Sequence, residues 1–350
     1  MGVSSWFRSP SPDCFRYEPK GRRLQERVCL LTGGGGFIGS HLARRLISRG
    51  AQVHLMIRHG TSLHRIGDLI DQVVVDYVDL RDEDGVRRAV HTANPEFVFH
   101  LATPSRGLGG HDVISARRSV DDILVPLISL IEAAGDMPRP PRAFIRAGTI
   151  AEYGAAPMPF RENQLPQPKT AYGAAMLAGT QLLHTLQPGL AFPVVTTRLA
   201  LTYGAGQSET FLIPKLVSAC LAGEPIRIER PDDRRDLIHV DDVVDAMLAV
   251  GETSAVEPGA INVSTGIAPS MREVAAEIVA STRCDPALIE QNRQTIGKSA
   301  NVLSADPARA RRMYAWAPRI GLQAGLSRLV QEHRRATAQT VRPNVRIANG

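Results

Sequence analysis

A glycine-rich loop near the start of the chain constrains the fold more than any other feature. The segment "LLTGGGGFIGSHLARRL" follows the pattern T-G-x-x-G-x-x-G and lies between an apolar strand and an amphipathic helix. In such a loop one glycine permits a tight turn, a second lets the backbone approach a pyrophosphate, and a third lets the helix pack on the strand. The helix N-terminus then presents free N–H groups and a positive dipole end to phosphates. The loop therefore predicts a bound dinucleotide rather than a merely structural turn, held by Thr32, Gly33, Gly36, Phe37, Ile38 and Gly39.

Apolar strands alternate with helical patterns along the next part of the chain. The strands are "RVCLLTG", "AQVHLMIR", "QVVVDYVDL", "PEFVFHLA", "RAFIRAG" and "PVVTTRLAL". The segment from His111 to Ala134 is expected to form one long helix with a kink at Pro126. This order predicts an α/β fold, a Rossmann-type doubly wound parallel sheet with right-handed crossovers. The shorter, less regular pieces after about residue 204 predict a smaller C-terminal substrate-binding lobe.

These patterns suggest a division of the chain. Residues 1–26 are rich in Ser, Pro and Arg without apolar periodicity, and we expect a disordered or loosely packed extension. The dinucleotide-binding domain is expected over 27–203, with part of 230–265 packing back on it. The substrate-binding lobe is expected mainly over 204–335, and 336–350 as a flexible tail.

Composition excludes several classes of protein. No apolar run approaches the roughly 18 residues that a membrane span needs, and the N-terminus has no secretory apolar segment, which predicts a cytoplasmic protein. The net charge of +6 suits an anionic ligand, and its even spread along the chain argues against nucleic acid. The histidines and cysteines show no metal-binding spacing, so no metal site is expected.

The end of the second strand bears on which dinucleotide is bound. An acidic residue about 20 residues past the glycine loop would bind the ribose 2′-hydroxyl of NAD, whereas this chain has Arg58 there. A guanidinium suits a 2′-phosphate through its charge and bidentate geometry. Arg58 therefore predicts NADP, with NAD as second choice and a solvated surface arginine as the alternative. Asp79 and Leu80, after the third strand, are expected beside the adenine.

With these features in hand, the chain resembles an extended short-chain dehydrogenase/reductase of the nucleotide-sugar epimerase/reductase/dehydratase group, over roughly residues 27–330. The matching segments are "TGGGGFIG", "FVFHLAT", "FIRAGTIAEYG", "TAYGAAM", "RLALTYGAGQ", "RRDLIHVDDVVDA", "INVSTG" and "WAPRIGLQAGL". The resemblance adds Leu101, Ala102 and Thr103 to the cofactor-binding set. It also implies a homodimer that pairs through two long helices.

The resemblance implies that a tyrosine, a Ser or Thr and a lysine carry out the chemistry beside the nicotinamide. Tyr172 and Thr149 stand at the first two positions, whereas the lysine position holds Met176. A thioether carries no charge and donates no hydrogen bond, so it cannot help a phenol with a reference pKa near 10 to ionise. A neutral phenol can give a proton, which favours a reductase. Lys169, the cofactor charge or a water chain could replace the lysine, or Tyr172 could be a packing residue in a silent homologue.

Other positions depart from the family pattern as well. Leu201 stands where relatives often have asparagine, and the asparagine usual in the long helix is replaced near Asp122 or Ile123. Relatives that dehydrate place an acid one or two positions after the catalytic threonine, where this chain has Ile150 and Ala151. Glu152 is expected to point away by strand alternation, so a dehydratase is disfavoured.

The resemblance also gives the expected substrate and reaction. Arg235 is expected to clamp a substrate diphosphate, with Arg198 and Tyr203 lining the cleft, while His100 is expected to be a satisfied strand-end histidine. The favoured function is NADPH-dependent reduction of a keto group on a nucleotide-linked sugar, a 4-keto-6-deoxy sugar in the first instance. The alternatives are a nucleotide-sugar epimerase with bound NAD(P) and a catalytically silent NADP-binding protein.

Overall fold

The computed structural model of the chain describes residues 24–104, 110–292, 294–296 and 299–340. Most of the expected N-terminal extension and residues 341–350 of the expected tail lie outside these residues. Two boundaries differ from expectation. Leu24 is already buried in the core, and the last helix continues to Thr340 instead of ending near residue 335.

The described residues form thirteen strands. They are β1 (Val28–Thr32), β2 (Gln52–Ile57), β3 (Val73–Tyr77), β4 (Phe97–His100), β5 (Ala143–Thr149), β6 (Val194–Leu199), β7 (Leu201–Tyr203), β8 (Ile226–Ile228), β9 (Arg234–Arg235), β10 (Leu237–His239), β11 (Gly259–Val263), β12 (Ile289–Gln291) and β13 (Val302–Leu303).

Ten α-helices connect or flank the strands of the described chain. They are α1 (Phe37–Ser48), α2 (Glu83–Ala93), α3 (Val113–Ser119), α4 (Val125–Gly135), α5 (Ala171–Leu186), α6 (Leu212–Ala222), α7 (Val240–Glu252), α8 (Met271–Thr282), α9 (Ala308–Tyr314) and α10 (Leu322–Thr340).

The main sheet is a seven-stranded parallel sheet, as predicted. Its strand order is β11-β6-β5-β4-β1-β2-β3, and every neighbouring pair is parallel. The order reverses between β1 and β4, and in sheets of this kind ligands bind outside the carboxyl ends of the strands at such a switch point. The glycine loop follows β1 directly, so it lies at this point. The Rossmann-type fold class is therefore confirmed.

The core beside this switch point is built from β-branched and aromatic strand residues covered by helices. Leu30, Val98 and Phe144, on three neighbouring strands, are fully buried against Leu127 and Leu130 of α4. Complete burial of such side chains contributes about 2 kcal/mol each. The same cluster fixes the position of α4 on the sheet, and α4 continues directly from the helical segment before it.

The long helix expected between His111 and Ala134 is interrupted by a π-helical turn. Residues Val120–Leu124 form this turn between α3 and α4, directly before Pro126 in the first turn of α4. Proline has no N–H to donate to the carbonyl of the residue four positions earlier, and its ring clashes with that carbonyl. A wider turn relieves the clash. The irregularity expected at Pro126 thus takes the form of a π-turn.

The described chain divides into two compact units. Unit 1 comprises residues up to Ala200 together with Val240–Gly266 and Ser304–Ala317, and it contains the main sheet. Unit 2 comprises Leu201–His239, Ile267–Leu303 and the residues from Pro318 onwards.

The units depart from the expected domains in two ways. The first boundary lies after Ala200 rather than after residue 203, and α9 belongs to unit 1 although its sequence was assigned to the substrate-binding lobe. Within unit 2, α6, α8 and α10 share a buried cluster that includes Leu216, Ile278 and Leu329.

None of the helices in the described residues is long and apolar enough to cross a membrane.

Candidate active site and cofactor crevice

The glycine loop has the close backbone approaches that a dinucleotide fold requires. Gly33 has φ +74°, and a Cβ there would lie 2.7 Å from the amide nitrogen of Ala102. A Cβ on Gly39 would lie 2.1 Å from the Gly33 carbonyl oxygen, so only glycine lets α1 start this close to β1. Gly36 is the N-cap of α1 and has no side chain to cap the free N–H groups of the first turn. Phe37, Ile38 and Gly39 form that turn, so their contacts with a phosphate would be through the main chain.

A crevice of about 260 Å³ opens beside this loop within unit 1. Eight of the predicted cofactor residues line it: Gly33, Gly36, Arg58, Asp79, Leu80, Leu101, Ala102 and Thr103. It also contains Thr61, Arg81, Asp122 and Pro126, which the sequence analysis did not assign to the cofactor-binding set. A glycine cradle, an uncapped helix N-terminus without acidic residues in its first turn, and a charged far end are the features that hold a dinucleotide, so the residues fit such a cofactor.

Thr32 has a different role from the one expected. It is fully buried and does not line the crevice; its hydroxyl oxygen lies 2.8 Å from His100 Nδ1 and accepts hydrogen bonds from the amides of Leu101 and Ala102 at 3.2 Å. The side chain therefore joins the ends of β1 and β4 and positions the crevice wall. Burial lowers the pKa of His100 to about 3, with the Arg146 charge adding to the effect, so His100 is the neutral, satisfied histidine that the sequence suggested.

The far end of the crevice carries two guanidinium groups. Arg58 is exposed at the end of β2, and Arg81 donates two hydrogen bonds to the Asp79 carboxylate, at 3.0 and 2.6 Å. The Arg81 guanidinium, helped by the Arg58 charge, lowers the pKa of Asp79 to about 2, so Asp79 is ionised and paired with Arg81. The Asp122 and Asp121 carboxylates also act on Arg81. The exposed Arg58 guanidinium is therefore open to an anionic ligand.

Tyr172 and Thr149 are brought together by a close contact between α5 and the turn that follows β5. Thr170 caps α5 by accepting a hydrogen bond from the Gly173 amide at 3.0 Å. A Cβ on Gly173 would lie 2.7 Å from the Ala151 carbonyl oxygen, so glycine lets the first turn of α5 rest on that turn. Thr149 lies close enough to the Tyr172 phenol to act on its pKa, which it lowers. The predicted pair therefore does share one site.

The Tyr172 phenol is held in its neutral form. Burial and the nearby Glu152 charge raise its pKa to about 12, while Thr149 and the Arg146 charge act in the opposite direction. Lys169, one candidate replacement for the missing lysine, is exposed. The charges acting on this phenol are those of Glu152 and Arg146.

Met176 belongs to a small apolar cluster. It is buried with Ile123 and Ala175, and Tyr172 packs against this group. Ile123 belongs to the π-turn, and its neighbour Asp122 lines the cofactor crevice. The lysine position on α5 is thus occupied by a side chain that is buried together with a residue of the π-turn.

Behind Tyr172 lies a fully buried charge cluster of Arg146, Glu152 and Arg198. Arg198 Nε donates to Glu152 Oε2 at 2.7 Å, and the same oxygen accepts from the Thr180 hydroxyl at 2.9 Å. Glu152 Oε1 accepts from the Thr149 amide at 3.2 Å in a capping box. The residues after Thr149 form a 3-10 turn instead of continuing the strand, so the alternation argument for Glu152 was wrong. Both oxygens of the Glu152 carboxylate nevertheless accept hydrogen bonds.

The Arg198 guanidinium is already engaged by a buried partner. It is paired with Glu152, and its Cζ lies 4.5 Å from the centre of the Tyr153 ring. The expected place of Arg198 in the substrate cleft stays a prediction, and the buried Glu152 carboxylate is a partner that the sequence did not indicate.

Unit 2 contains a second pocket, of about 470 Å³, lined by Tyr203 and Arg235 among others. Arg235 donates from Nη2 to Asp233 at 2.9 Å and from Nη1 to the main-chain carbonyls of Arg234 and Asn301. Tyr203 is buried and its ring packs edge-on against His239. Leu201 also lines this pocket and is partly exposed. The pocket thus combines an arginine, an aromatic ring and an apolar side chain.

Comparison with known protein families identifies the family of this chain. Residues 29–264, more than half of the chain, match the family described as "NAD dependent epimerase/dehydratase family". The chain belongs to this family. Among the described residues, no group of three His, Cys, Asp or Glu side chains could hold a metal ion.

Individual relatives are similar over most of their length. A UDP-glucose 4-epimerase of Mycolicibacterium smegmatis is 29% identical over 86% of this chain and 97% of its own length. A dTDP-6-deoxy-L-talose 4-dehydrogenase (NAD(P)(+)) of Kitasatospora kifunensis is 28% identical over 87% of this chain and 94% of its own. The crystal structure of a Thermus thermophilus UDP-glucose 4-epimerase in complex with NAD superposes with a TM-score of 0.76 at 25% identity, covering 88% of this chain and 99% of the other.

Proposed function

We propose that the chain is an NADPH-dependent reductase of a keto group on a nucleotide-linked sugar, a 4-keto-6-deoxy sugar in the first instance. Tyr172 gives its phenolic proton to the carbonyl oxygen, and Thr149 orients that oxygen through its hydroxyl. The dinucleotide, when bound, supplies the hydride. NAD(P)-dependent chemistry on nucleotide sugars is what the named relatives have in common.

The protonation state of Tyr172 carries this proposal. Since its pKa is raised to about 12, the phenol is protonated at neutral pH and ready to donate. Reduction of a carbonyl needs a proton donor, whereas oxidation of an alcohol needs an acceptor. The lysine that would help the tyrosine to act as an acceptor is absent. The proton chemistry therefore favours the reducing direction.

The cofactor proposal depends on the charge at the far end of the crevice. Arg58 is exposed there and Arg81 is paired with Asp79, so the Arg58 guanidinium can contact a 2′-phosphate. This favours NADP over NAD. The relative from Kitasatospora kifunensis is named as using either coenzyme.

The substrate proposal depends on the pocket of unit 2. Arg235 lines it with a guanidinium that Asp233 also contacts, Tyr203 is a buried lining residue, and Leu201 offers partly exposed apolar surface for a sugar or base. The names of the relatives specify UDP- and dTDP-linked sugars, which supports a nucleoside diphosphate sugar as the substrate class.

Two other reactions are less well supported. An epimerase must take a proton and return it, and the raised pKa of Tyr172 hinders the first of these steps. A dehydratase needs a second acid or base on the sugar, and the Glu152 carboxylate is engaged by Arg198, Thr180 and the Thr149 amide. The similarity to a UDP-glucose 4-epimerase keeps epimerisation as the second candidate.

The test is a turnover assay with NADPH and a panel of 4-keto-6-deoxy nucleoside diphosphate sugars. Loss of nicotinamide absorbance with one member of the panel, abolished in Tyr172→Phe, is the expected result. NADPH binding without turnover on any substrate would instead identify a catalytically silent cofactor-binding protein. Inversion at C4 of UDP-glucose with oxidised coenzyme, and without net consumption of the coenzyme, would identify the second candidate.

A homodimer is part of the proposal. Val113, Ile114 and Val120 on the long helical segment and Ile128 on α4 are exposed apolar side chains. Their exposure supports pairing of two copies through these helices, as in the family resemblance. Light scattering on the wild type and on Ile114→Lys tests this: the wild type is expected to have twice the mass of the variant, and a monomeric wild type would contradict it.

A further inference from the structure

Arg146, on β5, is a buried cation that the reaction proposed above does not use. It is completely buried, and in the described part of the chain no carboxylate is in ion-pair contact with it, since Glu152 pairs with Arg198 instead. Nη1 donates to the Thr180 hydroxyl at 3.1 Å and Nη2 to the Met176 carbonyl oxygen at 3.2 Å. Nε has no hydrogen-bond partner among the described residues. Burying a guanidinium in this way is costly, so its presence calls for a reason.

The buried cluster holds more positive than negative charge. Arg146 and Arg198 each contribute one positive charge and Glu152 one negative charge, which leaves one positive charge in excess. Arg198 Nη1 also has no partner among the described residues. An anion that forms next to Arg146 is stabilised by the guanidinium charge, against the opposing charge of Glu152.

Helix α5 is shaped to receive the Arg146 guanidinium. A Cβ on Gly179 would lie 2.7 Å from Arg146 Nη2 and 3.0 Å from Cζ. Glycine inside a helix costs about 1 kcal/mol relative to alanine. The guanidinium therefore occupies a notch on α5, bounded by Met176, Gly179 and Thr180.

In this notch the Arg146 guanidinium lies beside Met176, on the face of α5 that carries Tyr172. Arg146 Nη2 lies 3.6 Å from Met176 Sδ, and Met176 packs one helical turn from Tyr172 on the same face of α5. The Met176 thioether is apolar and uncharged, so it only weakly screens the electric field of Arg146 at Tyr172.

We propose that Arg146 supplies, from β5, the positive charge that Met176 cannot supply from α5, and that it stabilises the tyrosinate left when Tyr172 gives up its proton. Arg146 is thus a positioning residue that acts electrostatically across Met176. This inference rests on the proposed function for its place in a reaction. The electrostatic coupling between Arg146 and Tyr172 itself can be tested without any turnover.

The step balances as follows. The Tyr172 O–H bond breaks, and its proton forms the O–H bond of the sugar alcohol, whose carbon has received hydride from the reduced dinucleotide. The phenol oxygen keeps the electron pair and becomes a phenolate facing the excess positive charge. A proton from water then restores the phenol.

Several charged or titratable groups face Arg146 from the neighbouring elements. They are His100 on β4, Glu152 on the turn after β5, Tyr172 on α5 and Arg198 on β6. His100 is neutral above its lowered pKa of about 3, and Glu152 is paired with Arg198. Among these groups, Tyr172 is therefore the one whose ionisation, at alkaline pH, responds to removal of Arg146.

The direct test replaces Tyr172 with a fluorinated tyrosine, whose ring ionises at lower pH, and follows its titration by fluorine NMR in the protein without cofactor. Arg146→Gln keeps amide donors for Met176 and Thr180 but removes the charge, and we expect the fluorotyrosine pKa to rise by about one unit or more. Arg146→Lys is expected to preserve the wild-type value. Arg142→Gln, at the start of the same strand and ion-paired with Glu96, is the matched control and is expected to have no effect.

A charge-relocation experiment separates an electrostatic role from a structural one. Met176→Lys in the Arg146→Gln background restores the ammonium at the family position, and we expect it to return the fluorotyrosine pKa toward the wild-type value. The same Met176→Lys change in the presence of Arg146 places two cations side by side and is expected to lower the thermal midpoint.

An unchanged titration in Arg146→Gln, or no recovery in the double variant, would overturn the inference. Recovery of the titration without any turnover on the substrate panel would leave the inference intact and contradict only the proposed function. If Arg146→Gln fails to fold, Arg146→Lys and Met176→Lys decide: the inference requires that the former leaves the titration unchanged and that the latter lowers stability.

Discussion

The main-chain carbonyl of Met176 accepts a hydrogen bond from the buried guanidinium of Arg146 at 3.2 Å, and the Met176 sulfur lies 3.6 Å from the same nitrogen. The position that holds a cation in the family resemblance is thus occupied by an apolar side chain with a cation directly behind it. Gly179 makes room for that cation. The positive charge that the family resemblance places on α5 is thus carried by β5 in this chain.

Gly179→Ala should destabilise the protein although alanine is the better helix former. The new Cβ would lie 2.7 Å from Arg146 Nη2, and forced overpacking of a core costs about 1–3 kcal/mol, more than the propensity gain of about 1 kcal/mol. Gly251→Ala in α7 is the matched control, since its Cβ would meet nothing closer than 3.5 Å. Urea unfolding measures both. Equal or greater stability of Gly179→Ala would show that the guanidinium is not held in the notch.

Arg58→Ala should weaken NADPH selectively. A hydrogen bond between charged groups contributes about 1.5–3 kcal/mol, so the Kd for NADPH is expected to rise roughly 10- to 100-fold while that for NADH changes little. Arg88→Ala, exposed on α2, serves as the control. Isothermal titration calorimetry measures the Kd of NADPH and of NADH for the wild type and for both variants. A parallel loss for NADPH and NADH would mean that Arg58 does not contact a 2′-phosphate.

The buried, neutral His100 should make stability depend on pH. Burial lowers its pKa from 6.5 to about 3, so between these values the unfolded chain binds a proton that the folded chain does not. The sign is therefore a loss of stability as pH falls through this window, with a contribution of about 1.4 kcal/mol per pH unit from this group.

His100→Asn should remove that contribution and keep a partner for the Thr32 hydroxyl. Urea unfolding of the wild type and the variant at several pH values between 4 and 6.5 measures the difference in slope. Parallel curves for the two proteins would contradict a neutral buried histidine.

The sequence predicted the architecture well because its strongest signals are local. The glycines of the loop must be glycines wherever a helix starts this close to a strand, and Gly33 and Gly39 meet that condition in the structure. The alternation of strands and helices likewise gave the parallel sheet. Tyr172 and Thr149 could be paired because each belongs to a recognisable segment.

The sequence did not predict the buried cluster because its members are far apart in the chain. Arg146 appears in the sequence as an ordinary residue of an apolar strand, and Arg198 was expected to line the substrate cleft. Only the β5–β6 pairing brings the two arginines to Glu152. The one available signal was two arginines within strands that are otherwise apolar, where a lone charge is costly to bury. Arg81 was missed for a simpler reason: attention to Asp79 did not extend to the cation two residues later.

The most direct test of the proposed reaction uses NADPH that carries deuterium at the transferable position of the nicotinamide. With the keto-sugar substrate found in the panel, we predict one deuterium on the sugar carbon that bore the carbonyl, one equivalent of NADP formed, and neither in Tyr172→Phe. Consumption of the keto sugar while the deuterium stays on the coenzyme would contradict the account, because the hydride would then not come from the nicotinamide.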